Sequence, residues 1–307
     1  MTTESLKTIL DRDLSVVRGK NKIYIAKEIL SEEINYATNL FGRCMKEASP
    51  TPEDDASLLA LFRHVIEIAD GIEVLISSCC CVPAIPLLRS LLEASLSIDY
   101  IIIDDYSKRS RSWLYFYYKD KLDLYNKLDS STENGKDFEK AIKHDKYLKT
   151  FDLSLRQSDI KKEKLNIKAI LEREVFKDIR NEIGKIVDKR KKNVKWYELY
   201  NGPSNIKELA YKVNRSGQYS FLYKLWSRFT HAQDFSQFFD KSEEEQLTIK
   251  PLRGPSEIRS VAILSSILLI SSIMAILKKF RVGETEAFGL WYVENIRGNS
   301  RKLEDYK

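Results

Sequence analysis

VLISSCCCVPAIPLLRSLLEASLSI, residues 74–98, is the stretch on which the reading of this chain turns. It holds 25 residues, and only Arg89 and Glu93 are charged at neutral pH. A run this apolar belongs to a core, and charged side chains are seldom buried unless paired. Arg89 and Glu93 lie four apart, so a helix presents them on one face. The expectation is a largely buried pair, serving as a structural clamp or as part of a site.

Working outward, the punctuation is helical. Residues 22–47 carry Ile25, Ile29, Leu30, Ile34, Ala37, Leu40 and Phe41 at helical spacing. Thr51 and Pro52, followed by Glu53 and Asp54, make a helix start, predicting a helix over about 53–78. Pro83 and Pro86 then open a helix to about Tyr106. An aromatic, charged helix is expected over 108–128, a loop at 130–135 and a charged helical stretch to about Phe151. Residues 157–192 show one long amphipathic pattern. A short helix should reach Val213, another run from Tyr219 to about Phe239, and a last strong helix from Pro255 to about Phe280. The tail from Arg297 reads as polar and loose.

Composition agrees with an all-α fold. Gly (11) and Pro (7) are sparse in 307 residues, where strand-and-turn proteins use more. The fold class is therefore an all-α multi-helix bundle with a central apolar helix pair, 84–104 and 257–280, and no significant sheet. We read residues 1–307 as a single helical domain, with 107–215 as a charged helical elaboration. Residues 157–195 carry thirteen Lys or Arg against seven Asp or Glu, matching the +6 formal charge of the whole chain. The cluster Lys189, Arg190, Lys191 and Lys192 is a solvated helix end or a contact for phosphate and RNA.

Two readings bear on location. Cys44 and the run Cys79, Cys80, Cys81 suit buried, reduced thiols in a cytoplasmic protein. The stretch MTTESLKTILDRDLSVVRGK has no uninterrupted apolar segment of the kind a signal peptide needs. Residues 261–277 are 17 uncharged residues, at the short edge of a membrane span. Ser265, Ser266, Ser271 and Ser272 suit close helix packing, so a buried core helix is expected. A membrane-associated effector is the alternative.

Chemistry is thinly marked. HExxH, P-loop, GxGxxG and GxSxG patterns are absent. The three histidines, His64, His144 and His231, show no ligand spacing, so no metal or cofactor is expected. Ser227 and His231 lie four apart. If the His231 helix meets the Arg89 helix, Arg89 holds a phosphate, Glu93 orients Arg89 or tunes His231, and His231 moves a proton. Tyr100, seven residues beyond Glu93, would project to the same side. That is a metal-free phosphodiester site in outline. A buried structural pair far from His231 is the plainer alternative.

The sequence A-x-x-L-L-R-S-L-L-E (Ala84 to Glu93), the apolar run to Tyr100-Ile101 and the later S-x-x-x-H (Ser227 to His231) resemble a bacterial helical family of unknown function. The resemblance covers roughly residues 55–280. That family is distantly similar to HEPN-type and AbiV-like proteins of abortive infection and toxin–antitoxin systems. The resemblance implies an α-bundle, usually dimeric, that cleaves RNA without metal through an Arg-x4-6-His motif. It implies RNA or a nucleotide, and an antitoxin or defence-system protein, as partners. Here no Arg precedes a His at that spacing, and Arg228 to His231 is too short. Arg89 and His231 would have to supply such a site from separate helices. A non-catalytic relative that binds nucleotide, RNA or protein is the other reading.

Overall fold

Pro83 and Pro86 set where the central helix begins. In the computed structural model Pro83 is the N-cap of α3 (Ala84–Ile102). Pro86 falls in the first turn, where a missing N–H costs nothing. The structure describes residues 10–46, 52–150, 157–190, 194–223, 226, 239–241 and 247–306. They fold as an all-α multi-helix bundle and divide into two compact units. One comprises Met1–Pro50, Leu58–Asp104 and Ile206–Lys307; the other comprises Thr51–Ser57 and Asp105–Asn205.

The first unit contains α1 (Arg12–Lys46), most of α2 (Pro52–Ser77), α3, α8 (Ile206–Lys212), α9 (Ile258–Phe280), α10 (Thr285–Asn295) and α11 (Arg297–Glu304). α9 packs against both α3 and α1. It buries Ala262, Ser265, Ser266, Ser272 and Ala275 among larger apolar residues, and small side chains let helix axes approach closely. By length and composition α9 could cross a membrane, yet 61% of its apolar window is buried inside the protein. It is a core helix of this unit.

The turn between α2 and α3 shows how the Cys run is used. Cys79 adopts a left-handed φ of 53° after the last turn of α2. The Cys79 N–H donates to Ile76 O (2.9 Å) and the Cys80 N–H to Leu75 O (2.8 Å), closing the helix with a Schellman motif that usually takes Gly. The Cys79 thiol donates to Ser15 O at 3.1 Å. Gly19 faces the same sulfur, and a Cβ there would lie 2.8 Å from it, so α1 can pass only as glycine. Cys44, Cys79 and Cys81 are buried thiols outside any disulfide, and burial pushes the Cys81 pKa up to about 12. Cysteine packing, rather than cysteine reactivity, accounts for these positions.

The second unit contains α4 (Tyr106–Leu128), α5 (Glu133–His144), α6 (Gln157–Leu171) and α7 (Lys177–Arg190), with the first turn of α2. Its core gathers Phe116, Phe176, Ile179 and Leu199. Asp54 in that first turn takes both sides of the Arg111 fork, and Tyr106 donates to Asp55 at 2.7 Å. Ser57 and Ser110 share a buried hydrogen bond. Lys164 and Asp129 form a buried ion pair at 2.5 Å, which holds the Asp129 carboxyl well below the usual range.

Several expected boundaries are corrected. α1 begins ten residues before the expected start at 22. The helix expected to reach Tyr106 stops at Ile102, and α4 starts afresh. The stretch expected to be helical to Phe151 ends at His144. The pattern over 157–192 breaks into α6 and α7, because the break buries Phe176 completely. Arg180 then donates to the freed carbonyls of Leu171 and Arg173. Instead of ending a helix, Phe239–Lys241 forms a strand (β1) paired antiparallel with Leu247–Ile249 (β2). The tail is not loose from Arg297: α11 packs on α1 and buries Leu303. α10, unforeseen, packs the rings of Phe288 and Trp291 at a tilt against Tyr36 of α1.

Candidate functional site

α3 carries two polar assemblies, both met by the segment after α8. The first is the Arg89–Glu93 pair. Arg89 Nε donates to Glu93 Oε1 at 3.1 Å, as the four-residue spacing requires. The expectation of a largely buried pair is corrected: the side chains are 21% and 38% exposed. The reason is angular. Leu88, Leu91, Leu92 and Ser95 take the buried side of α3, which leaves Arg89 and Glu93 on its margin.

Tyr223 completes this assembly. Arg89 Nη2 donates to the Tyr223 hydroxyl at 2.7 Å, and its guanidinium lies 4.5 Å from the ring centroid. Tyr223 stacks on Tyr219, centroids 4.7 Å apart at 20°. Phe221, between them in the same π-helical turn (Tyr219–Tyr223), is 72% exposed. Burial first, and the Glu93 charge next, push the Tyr223 pKa up against the pull of Arg89, so its hydroxyl stays protonated. The result is a fixed cation beside half-exposed aromatic faces.

The second assembly is a polar seam. Arg215 Nη1 donates to Asp99 Oδ2 and to Ser95 Oγ, both at 2.7 Å. Ser95 Oγ also bonds Ser271 and Ser272 of α9, each at 3.1 Å. Arg215 Nε donates to Gln218 at 2.8 Å, while its enclosed Nη2 has no hydrogen-bond partner among the described residues. Burial raises the Asp99 pKa, and Arg215 opposes that shift.

Of the residues singled out in the sequence, Arg89 and Glu93 are brought together. Tyr100 is buried at 3% exposure. Ser227 and His231 lie outside the described residues, as do Lys191 and Lys192. Lys189 and Arg190 end α7, and their side chains also lie outside the description. His64 is exposed, and the exposed His144 ring nitrogen Nδ1 sits 2.8 Å from Lys140 O. Among the described residues no group of three or more His, Cys, Asp or Glu could hold a metal ion.

Sequence reasoning missed Tyr223, Tyr219, Asp99 and Arg215. The two tyrosines carried a signal, an aromatic pair at i, i+4. Arg215 carried none, because its partners lie 116 and 120 residues away.

No curated protein and no solved structure matches this chain. A family model described as a family of unknown function, DUF5677, matches residues 55–246, from the body of α2 through the Arg89 helix and beyond β1. A match over that share of the chain, which takes in Arg89, Glu93, Asp99, Arg215 and Tyr223, establishes that this protein belongs to the DUF5677 family of unknown function.

Proposed function

We propose that this protein binds RNA or a nucleotide at the Arg89–Tyr223 patch. The observation that carries the reading is the Arg89 guanidinium held by Glu93 and Tyr223 beside stacked Tyr219 and the exposed Phe221. A fixed cation suits a phosphate, and aromatic faces suit unpaired bases. This supports a helical binding module of a bacterial defence or toxin-like system, as the HEPN-like resemblance implies. An antitoxin or defence-system partner, a homo-oligomer and a cytoplasmic setting belong to the same proposal.

The test is fluorescence anisotropy with a labelled single-stranded RNA. Phe221→Ala, at an exposed position, is expected to weaken binding about ten-fold, in line with a stacking contribution of roughly 1–3 kcal/mol per base. Affinity should fall with salt. Absence of saturable binding at low salt, or equal affinity in the variant, overturns the reading. Catalysis is the finer proposal: metal-independent cleavage with His231 as general acid–base and Arg89 on the phosphate. Growth arrest and RNA degradation in bacteria expressing the wild type, lost in His231→Ala, would support it. Intact RNA in both leaves the binding module standing and removes the ribonuclease.

A further inference from the structure

A groove of about 480 Å³ opens in the first unit, lined by residues of α3 and α9 together with Ile103 and Val213. We infer that it is a second ligand site, for a small amphipathic anion with an apolar body and one acidic head group. This inference does not rest on the RNA reading.

Three observations carry it. The walls are apolar, including Ile103, which is 50% exposed, Val213 and Met274. Two polar lining residues are fixed: Ser271 is bonded to Ser95, and Asp99 is held by Arg215. Apolar walls around a few positioned polar groups are the usual build of a small-molecule site, and the volume fits a ligand of drug-like size. Charge then selects the ligand. Arg215, which does not itself line the groove, bonds Asp99 at 2.7 Å and offsets its charge, which leaves the charge of the lining residue Lys278 in excess among the described residues. A neutral or cationic ligand would leave that excess uncompensated, whereas a monoanion offsets it. The exposed Lys278 is the group that can reach an acidic head at the rim.

The probe is 8-anilino-1-naphthalenesulfonate, a monoanion with an apolar body, compared with the neutral N-phenyl-1-naphthylamine. The sulfonate is expected to bind the full-length protein at one saturable site. Lys278→Ala should weaken it about five-fold, the size of one partly exposed ion pair, with the neutral probe changed less than about two-fold. Ile103→Asp adds a carboxylate at a half-exposed wall position, where folding is preserved, and should weaken the sulfonate by a similar factor. Met274→Trp fills the groove and should weaken both probes, with the circular dichroism unchanged. Sulfonate affinity unaltered in both Lys278→Ala and Ile103→Asp overturns the proposal. So does an equal loss for the charged and neutral probes in Lys278→Ala.

Discussion

Two ion pairs, one in each unit, reverse what their surroundings in sequence suggest. Arg89 and Glu93 stand in a 25-residue stretch that is otherwise uncharged, yet their side chains are 21% and 38% exposed. Lys164 and Asp129 stand among charged helices, yet they are only 11% and 4% exposed. Burial of a charge is decided by the face of its helix and by what the rest of the chain lays over it, not by the polarity of its neighbours in sequence. Lys164 shares α6 with Ile160, Ile167 and Leu171, spaced to put it on their buried face. Asp129 ends α4 and takes further hydrogen bonds from the Ser131 backbone N–H and hydroxyl. The pair in polar sequence is therefore the structural one.

This contrast can be broken by measurement. The largest effect is expected for Lys164→Ala, which strands a buried carboxylate and should cost about 3–5 kcal/mol in denaturant unfolding. A loss below about 1 kcal/mol would put this pair on the same footing as the other. The Asp129 carboxyl is held below its ordinary 3.8, first by its bond to Lys164, so its contribution is present above that pH. It should fade as the pH drops below about 4.

Glu33 sharpens the contrast as a buried carboxyl group with no cation bonded to it among the described residues. It is fully buried, accepts from Ser266 at 2.5 Å, and leaves Oε2 without a hydrogen-bond partner among the described residues. Burial pushes its pKa from 4.5 up to about 8. The folded state then binds the proton more tightly than the unfolded one, so stability falls as pH rises from 4.5 toward 8. Glu33→Gln should flatten that fall and gain about 2–4 kcal/mol at pH 8 relative to pH 5. Parallel stability curves for the two proteins across this range would refute it.

The smallest effect is expected for Glu93→Gln. An exposed i, i+4 pair contributes about 0.3–1 kcal/mol, so the unfolding midpoint should hardly move. A loss above about 2 kcal/mol would show Arg89 to be as enclosed as Lys164.

The helices were legible where periodicity and punctuation agreed. Pro83 and Pro86, the acids after Pro52 and the small-residue run of α9 each placed an element correctly, because capping and packing are local rules. Legibility failed where a distant partner overrides the local pattern. Phe176 breaks the 157–192 helix for a core supplied partly by Phe116 and Leu199. Leu303 orders the tail against α1, almost the length of the chain away. At the candidate site the Arg89–Glu93 bond followed from spacing alone. The Tyr223 contact and the Arg215 seam did not, since both depend on residues more than a hundred positions downstream.

The pairing of α3 with α9 also sets a schedule for synthesis. α3 is complete when residue 102 has left the ribosome, but its partner ends at residue 280. At translation rates of roughly 5–20 residues per second, α3 waits about ten to thirty-five seconds for the helix that covers it. The second unit, residues 105–205, is made within that interval from the next stretch of chain. The nascent protein therefore carries an uncovered apolar helix for most of its production, and its yield should rise when a chaperone that holds apolar segments is supplied during translation.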